Sequence, residues 1–229
     1  MTFTNDPLDK RLSTVGRILP HTAAKIINQE GHILPKGSRG ELCVAGFALQ
    51  KGYWKNPEKT SEVMRRDEKG VLWMHTGDEA MFDEDDYCKI TGRIKDIIIR
   101  GTYHCFQNTC SLSLLIYRLC SSTGGENIFP LEIEERLVQH RSVLQASVVG
   151  LPDDKYGEVV GAFIQPRSTE QIPPDATIRE FVGEKLGRHK VPVHIFWLEP
   201  GESFPQTGSA KIKKHVLRDR GAELIKVRK

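Results

Sequence analysis

Residues 146–165, ASVVGLPDDKYGEVVGAFIQ, place two apolar runs on either side of a polar turn. Residues 146–150 and 159–165 have the pattern of strands, and the intervening PDDKYGE is rich in residues that favour turns. The pattern therefore predicts a β-hairpin, around which the second half of the chain is organised.

Helical patterns lie on both sides of this hairpin. Pro130 suits the first position of a helix, and acidic residues follow it in a short amphipathic segment. Thr177 and Glu180 form a capping-box signature ahead of further apolar residues, which predicts a second helix. A strand over residues 194–198 and a basic helix from Lys213 complete an α+β order.

The first half of the chain has the pattern of a β-rich unit. Leu42 and Val44 have a period-two placement between turn-forming glycines, and residues 71–76 (VLWMHT) form another strand pattern. This second strand is expected to end at Gly77 and Asp78, which would place a carboxylate at a sheet edge. The boundary between the two halves is predicted within residues 93–96.

Composition and charge exclude several classes of protein. The 229 residues are 38% hydrophobic and carry a formal charge of +3, so charge gives no reason to expect nucleic acid or an anionic membrane as a partner. No apolar run approaches the roughly 18 residues of a membrane helix, and no signal-peptide core is evident. Five sparse cysteines favour a reduced compartment, so we expect a soluble, intracellular, non-secreted protein of unknown compartment with no membrane span.

Residues 102–123, TYHCFQNTCSLSLLIYRLCSST, differ in composition from their surroundings. They contain a single charged residue, Arg118, whereas 28% of the whole chain is charged. They also hold three of the five cysteines, at a spacing that does not match a zinc motif. No metal site is therefore predicted here.

Asp78 in HTGD (75–78) and Arg93 in GRIKD (92–96) are the side chains whose chemistry suggests a ligand. A carboxylate can accept both hydroxyls of a ribose, and arginine makes planar contacts to oxygen ligands. Two interpretations remain open on spacing alone: a nucleotide site, or a surface salt bridge across a hairpin. His75 is interpreted as a half-buried strand residue, because no partner base is evident.

Four ordered segments resemble the later motifs of the adenylate-forming superfamily, which includes acyl-CoA synthetases and luciferases. The segments are GELCVAGFALQKGYWKNPEKT (40–60), WMHTGDEAMFDEDDYCKITGRIKDIIIRG (73–101), GGENIFPLEIEE (124–135) and FPQTGSAKIKKHVLRD (204–219). The GRIKDIIIRG and GGENIFPLEIE pair most resembles medium-chain fatty acyl-CoA synthetases. This family activates a carboxylate with ATP as an acyl-adenylate and then transfers the acyl group to coenzyme A.

The resemblance implies an α+β fold in two parts. Residues 1–94 correspond to the last β-rich subdomain of the large AMP-binding domain, which is expected to be truncated. Residues 95–229 correspond to the small C-terminal domain, with helices packed on a small mixed sheet and an intron-like insertion at 102–123. Excising 23 residues there restores RGGENIFP without a gap, so we interpret the insertion as a retained or unrecognised intron.

The resemblance also assigns roles to residues of the first half and its end. Asp78 would accept the hydroxyls of the adenosine ribose, and Arg93 would support the same ribose and the phosphate region. Lys95 falls on the hinge about which the small domain rotates between the two steps, a position that needs backbone freedom.

Further roles fall in the second half. Gly124, Gly125 and Glu126 match the loop that turns towards the pantetheine tunnel. Lys211 matches the catalytic lysine that reaches the substrate carboxylate and the α-phosphate, where an ammonium stabilises the negative charge of the transition state. Ala210 stands where the family usually has glycine.

Two nucleotide-binding motifs of the family are absent from the sequence. They are a Ser/Thr/Gly-rich phosphate loop ending in Pro-Lys-Gly and a Tyr-Gly-x-Thr-Glu segment. We therefore expect a fragment of a medium-chain-like fatty acyl-CoA ligase that is inactive as given, because the phosphate loop and the acyl pocket are missing.

The expected substrates are a fatty acid, ATP (with AMP as product) and coenzyme A, with Mg²⁺ whose ligands are not in this chain. One alternative is a non-catalytic α+β module that binds a partner or a nucleotide. A carrier-protein-dependent adenylation domain is disfavoured, because GGENIFPLEIE is closer to the free-ligase form.

Overall fold

A computed structural model describes residues 1–101, 126–167, 172–199 and 201–228. The chain divides into two compact units, Met1–Lys95 and Asp96–Lys229. The division falls one residue after the predicted limit at residue 94, within a 3₁₀ turn over Ile94–Asp96. Each unit has its own sheet and its own buried core.

The first unit is built on a five-stranded antiparallel sheet with two short helices. Its elements are α1 (Leu8–Ser13), β1 (Thr22–Ile27), β2 (Gly40–Gly46), α2 (Pro57–Val63), β3 (Met64–Arg66), β4 (Leu72–Phe82) and β5 (Cys88–Arg93). Strands β1, β2 and β4 pair in that order, and both β3 and β5 pair with β4. The β-rich character predicted for this half is confirmed.

Strand β4 is long because it has two successive partners on one edge. Residues 72–74 pair with β3 and residues 78–82 pair with β5, while β2 lies along the opposite edge. The expectation that this strand ends at Gly77 and Asp78 is wrong, because β5 provides a second antiparallel partner for the chain beyond them. Asp78 therefore lies inside the sheet.

The core of the first unit covers one face of this sheet. Ile26, Ala80 and Cys88 are buried there, and Leu34, Leu42, Phe82 and Ile90 pack against them. Cys43 is also fully buried, but it follows Leu42 in β2 and so faces the opposite side of the sheet.

The second unit combines a five-stranded sheet with three helices. Its elements are β6 (Ile98–Arg100), β7 (Glu126–Ile128), α3 (Pro130–Val138), β8 (Val143–Asp153), β9 (Gly157–Pro166), α4 (Asp175–Gly183), β10 (His194–Trp197) and α5 (Lys214–Arg228). β10 runs parallel to β9 and the other pairings are antiparallel. The predicted α+β fold with helices on a small mixed sheet is confirmed.

The predicted hairpin is present and extends beyond the predicted limits. β8 and β9 pair from Val143 opposite Pro166 to Asp153 opposite Gly157, around a turn over residues 154–156. From Ala146 to Ile164, the even-numbered apolar residues of both strands pack towards α3 and α4, and the odd-numbered ones pack towards α5. Val143 precedes the register shift of β8 and packs with the even-numbered set. The strands are buried on both faces, which explains why their sequences are continuously apolar.

The helices of this unit begin at different signals. Pro130 occupies the first turn of α3, as predicted. The capping-box prediction for α4 is wrong: the helix begins at Asp175, and Thr177 lies inside it. Pro174 precedes the helix in an extended conformation, and Asp175 supplies the carboxylate of the first turn. Among the helices of the described residues, none has the length and apolar character needed to cross a membrane.

Two short strands that sequence analysis missed flank the compositional intrusion, which itself lies outside the described residues. Their register is Ile98 opposite Ile128, Ile99 opposite Asn127 and Arg100 opposite Glu126. Residues 101–125 therefore connect two adjacent antiparallel strands. In the restored sequence RGGENIFP, this connection would be Gly-Gly alone, and a two-residue Gly-Gly loop is a favoured hairpin turn. The observed register is thus the one that a sequence without the insertion requires.

Deleting residues 102–124 joins Gly101 to Gly125 and should stabilise the second unit. The connection falls from 25 residues to two, and each halving of a loop recovers about 0.6 kcal/mol, so we expect the free energy of unfolding to rise by about 2 kcal/mol. Urea unfolding followed by circular dichroism measures the change. Deleting only residues 102–113 is the matched control and should give a gain of about 0.6 kcal/mol. A full deletion that is less stable than the parent would contradict the proposed turn.

Candidate functional site

Asp78 and Arg93 lie opposite each other on β4 and β5. The Arg93 Nε is 3.0 Å from Asp78 Oδ1, and their side chains are 47% and 28% exposed. The two residues that the sequence singled out are therefore brought together as an ion pair that solvent and ligands can reach. The contact is compatible with both interpretations from the sequence. Asp78 can form a salt bridge with Arg93 across the paired strands and still bind the hydroxyls of a ribose.

An irregularity in β4 positions Asp78. The register of β4 against β2 shifts between Glu41 and Cys43, and Gly77 adopts φ +70° there. The Gly77 amide donates to Glu41 Oε1 at 3.2 Å, and the Asp78 amide donates to the Thr76 hydroxyl at 3.1 Å. Glycine is suited to this position because side chains are disfavoured at positive φ. The bulge occurs where β4 passes from its first edge partner to its second.

His75 has partners that the sequence did not show. Its Nδ1 lies 3.0 Å from Glu41 Oε2 and 3.6 Å from Cys43 Sγ. His75 is a partly buried residue of β4, as predicted, and the structure gives it a carboxylate partner that was not evident in the sequence. Glu41 lies 34 positions away in sequence and is brought to His75 only by the pairing of β2 with β4.

The Cys43 thiol is the most strongly perturbed titratable group of this region. Burial, with a further contribution from the Glu41 carboxylate, raises the pKa of Cys43 to about 12. The thiol is therefore protonated at neutral pH and is a poor nucleophile.

The predicted Mg²⁺ does not fit this cluster. Within residues 1–101 and the other described ranges, Glu41, Cys43 and His75 are the only group of three His, Cys, Asp or Glu side chains placed to share one metal ion. Mg²⁺ prefers oxygen ligands, whereas this group offers a thiol and an imidazole. We assign no chemical step to Mg²⁺ in this chain.

Lys95 is exposed and is the last residue of the first unit. It lies in the 3₁₀ turn that directly follows β5, two positions after Arg93. The residue predicted as a hinge is thus found where the chain leaves one compact unit and enters the next.

Glu126 begins β7 opposite Arg100, whereas Gly124 and Gly125 lie outside the described residues. Glu126 Oε2 is 3.5 Å from His189 Nδ1, and the Arg100 guanidinium donates to the His189 carbonyl at 3.1 Å. Both strand ends are therefore held by the same 3₁₀ turn, Arg188–Lys190.

Lys211 lies in a tight loop whose ends, Gln206 and Ile212, form an antiparallel bridge. The Thr207 amide donates to the Lys211 carbonyl at 2.8 Å, and the Lys211 amide donates to Thr207 Oγ1 at 3.2 Å. The Lys211 side chain is exposed. The loop thus fixes the lysine backbone and presents its ammonium to solvent.

Ala210 has φ +59°, in the left-handed region where a methyl group is disfavoured. Its amide donates to the Thr207 carbonyl at 2.9 Å, so the conformation is part of the closed loop. Alanine is free of strain at this position only if the loop does not need positive φ. The loop does need it, which explains the family's preference for glycine.

Two family models match this chain. The model of the AMP-binding enzyme matches residues 1–54, and that of the AMP-binding enzyme C-terminal domain matches residues 132–211. Asp78, Arg93 and Lys95 lie between the two matched segments, and Lys211 is the last residue of the second.

Acyl-CoA ligases are among the relatives. The acyl-CoA ligase sidI of Beauveria bassiana is 50% identical over 228 residues, covering 98% of this chain and 36% of that protein. The mitochondrial medium-chain acyl-CoA ligase ACSF2 of Rattus norvegicus is 36% identical over 228 residues, covering 99% of this chain and 32% of that protein. The chain thus spans about a third of the length of these relatives.

A solved structure leads to the same family. ATP-bound MatB from Rhodopseudomonas palustris aligns with a TM-score of 0.72 and 28% identity, covering 93% of this chain and 36% of that chain. The chain is similar to the adenylate-forming AMP-binding enzymes in both sequence and fold. Within that class its relatives include acyl-CoA ligases, and the predicted similarity to the medium-chain members is confirmed.

Replacing Ala210 with glycine should relieve the strain of the Lys211 loop. A left-handed alanine costs about 1–2 kcal/mol, part of which is offset by the greater freedom of glycine in the unfolded chain. We expect the free energy of local opening of the loop to rise by about 1 kcal/mol. Hydrogen exchange at the amides of residues 210 and 211 should then be about fivefold slower. The control is Gly208→Ala, since Gly208 has no positive φ and open space around its Cβ position. Faster exchange in Ala210→Gly than in the parent would refute this account.

Proposed function

We propose that this chain is the part of an ATP-dependent acyl-CoA ligase that binds the adenosine ribose and carries the lysine of the adenylation step. The observation that carries the proposal is the solvent-accessible Asp78–Arg93 pair at the β4 bulge. The acyl-CoA ligases among the relatives and the ATP-bound structural neighbour support it.

Asp78 has the acceptor capacity for this role. A carboxylate offers about four lone-pair positions, and the Arg93 Nε contacts one oxygen, so acceptor positions remain for two vicinal hydroxyls. The contact with Arg93 orients the carboxylate, and hydrogen bonds to a carboxylate are stronger than those between neutral groups. The Glu41 and Thr76 contacts fix the backbone of the bulge before any ligand arrives.

The reaction assigned to the whole ligase has two steps. A carboxylate oxygen of the fatty acid attacks the α-phosphorus of ATP, and pyrophosphate leaves. The thiol of coenzyme A then attacks the acyl carbon, and AMP leaves with the bonding electrons. The substrate class we propose is a medium-chain-like fatty acid.

Lys211 acts in the first step of this reaction. Attack by a carboxylate on a phosphate concentrates negative charge, and an ammonium stabilises it more in the transition state than in the ground state. The side chain of Lys211 is exposed on a closed loop, so its ammonium is free to contact the substrate carboxylate and the α-phosphate in the first step only. Lys95 is proposed as the hinge, and Glu126 as part of the loop that faces coenzyme A.

Removing the Asp78 carboxylate should weaken AMP binding through the ribose. Hydrogen bonds to a charged group are worth about 1.5–3 kcal/mol, so isothermal titration should show a loss of about tenfold or more for Asp78→Ala. The variant should bind 2′-deoxy- or 3′-deoxy-AMP with a smaller loss, because one hydroxyl contact is already gone.

Asp9→Ala is the matched control for this titration, because it removes an exposed carboxylate of the same unit. It should leave AMP affinity unchanged. Equal losses for AMP and both deoxynucleotides would exclude a ribose-binding role for Asp78. AMP binding that does not respond to Asp78→Ala would favour the alternative of a nucleotide- or partner-binding module.

The 229-residue chain by itself should form no acyl-CoA from octanoate, ATP and coenzyme A. Its sequence contains neither the phosphate loop nor the acyl pocket of the family, so neither step has its full set of binding groups. Mass spectrometry detects the thioester, and release of pyrophosphate reports the first step separately. Either product above the level of a Lys211→Ala chain would overturn this prediction.

A further inference from the structure

Three metal-ligating side chains converge on the face of the first sheet that lies opposite its core. Glu41 and Cys43 are two residues apart on β2, so they share a face, and His75 is the register partner of Cys43 on β4. Their ligand atoms all lie within 4.8 Å of one another. The proposed ligase function does not use this group as a ligand site.

Two of the three distances within the group are close to those expected around one small tetrahedral ion. Zn²⁺ binds sulfur at about 2.3 Å and nitrogen or oxygen at about 2.0 Å, which at tetrahedral angles separates S from N by about 3.5 Å and N from O by about 3.3 Å. Cys43 Sγ and His75 Nδ1 are 3.6 Å apart, and His75 Nδ1 and Glu41 Oε2 are 3.0 Å apart. The third separation, between Cys43 Sγ and the Glu41 carboxylate, is within 4.8 Å and would settle near about 3.5 Å around a bound ion.

The surroundings of the group are organised for binding. The second carboxylate oxygen of Glu41 accepts the Gly77 amide at 3.2 Å, an outer contact of the kind that orients ligating carboxylates. Cys43 is fully buried, whereas the side chains of His75 and Glu41 are 17% and 24% exposed. An ion has an entrance beside the imidazole and the carboxylate, and the thiol closes the inner side.

We propose that Glu41, Cys43 and His75 form a Zn²⁺-binding site with a fourth position left for water. One thiolate, one imidazole and one carboxylate are ligands that Zn²⁺ takes, and a thiolate excludes the hard cations Mg²⁺ and Ca²⁺ as preferred occupants. The competing description is a metal-free cluster in which His75 is simply hydrogen-bonded to Glu41. The two descriptions differ in whether Cys43 becomes a ligand.

Cobalt substitution tests the site in the untagged full chain. Cys105, Cys110 and Cys120 are first replaced by serine, because these cysteines lie outside the described residues and would add thiol ligands of their own. With Co²⁺ alone, the expected result is a thiolate-to-cobalt charge-transfer band in the near ultraviolet together with intense visible bands of tetrahedral cobalt. Zn²⁺ added afterwards should abolish both.

Cys43→Ala should remove the charge-transfer band, and Cys88→Ala, which deletes the other buried cysteine of the described residues, should retain it. His75→Gln should weaken Co²⁺ binding by more than the roughly 10–100-fold that loss of an outer contact costs. If circular dichroism shows that Cys43→Ala is unfolded, the Co²⁺ affinity of His75→Gln tests the site instead. No charge-transfer band in folded protein, or a band that survives in Cys43→Ala, would overturn the proposal.

Discussion

Strand β4 has one partner, β2, along one edge but two partners, β3 and β5, along the other, and it changes partner near Gly77. The bulge leaves the Gly77 amide without a partner in the sheet, and Glu41 accepts its hydrogen bond. The positive φ at this position would strain a residue with a Cβ atom, and glycine has none. The bulge places Asp78 at the start of the pairing with β5, directly opposite Arg93. The candidate nucleotide site thus depends on how one strand is shared between two neighbours.

The second unit depends on a hairpin that is buried on both faces. β8 and β9 separate a core formed with α3 and α4 from a core formed with α5. The described residues with proposed roles in this unit lie outside these two strands: Glu126 begins β7, and Lys211 lies in the loop before α5. Residues 101–125 join β6 to β7 in sequence. Chain added at such a connection adds little closure entropy, because that entropy grows only slowly with loop length. A sheet that pairs in its uninterrupted register despite the 102–123 insertion is consistent with this.

Similarity to the adenylate-forming enzymes and the proposed roles of individual residues rest on different observations. The similarity follows from the matched segments and from the relatives, whereas Asp78 and Arg93 lie outside both matched segments and are argued from their contact and exposure. Ala210 links the two lines of argument. The family usually has glycine there, and the positive φ gives the physical reason for that preference.

Local sequence patterns were sufficient for the long hairpin, the start of α3 and the α+β class, because turn residues, proline and apolar runs act over a few positions. They also singled out Asp78 and Arg93 by chemistry alone. They did not reveal β6 and β7, which are three residues each and are defined by their pairing with each other. They did not reveal the partners of His75 either, since Glu41 and Cys43 come to it only through the register of β2 and β4. Side-chain chemistry was visible in the sequence, but which side chains meet was decided by strand register, and register is set by contacts between residues far apart in the chain.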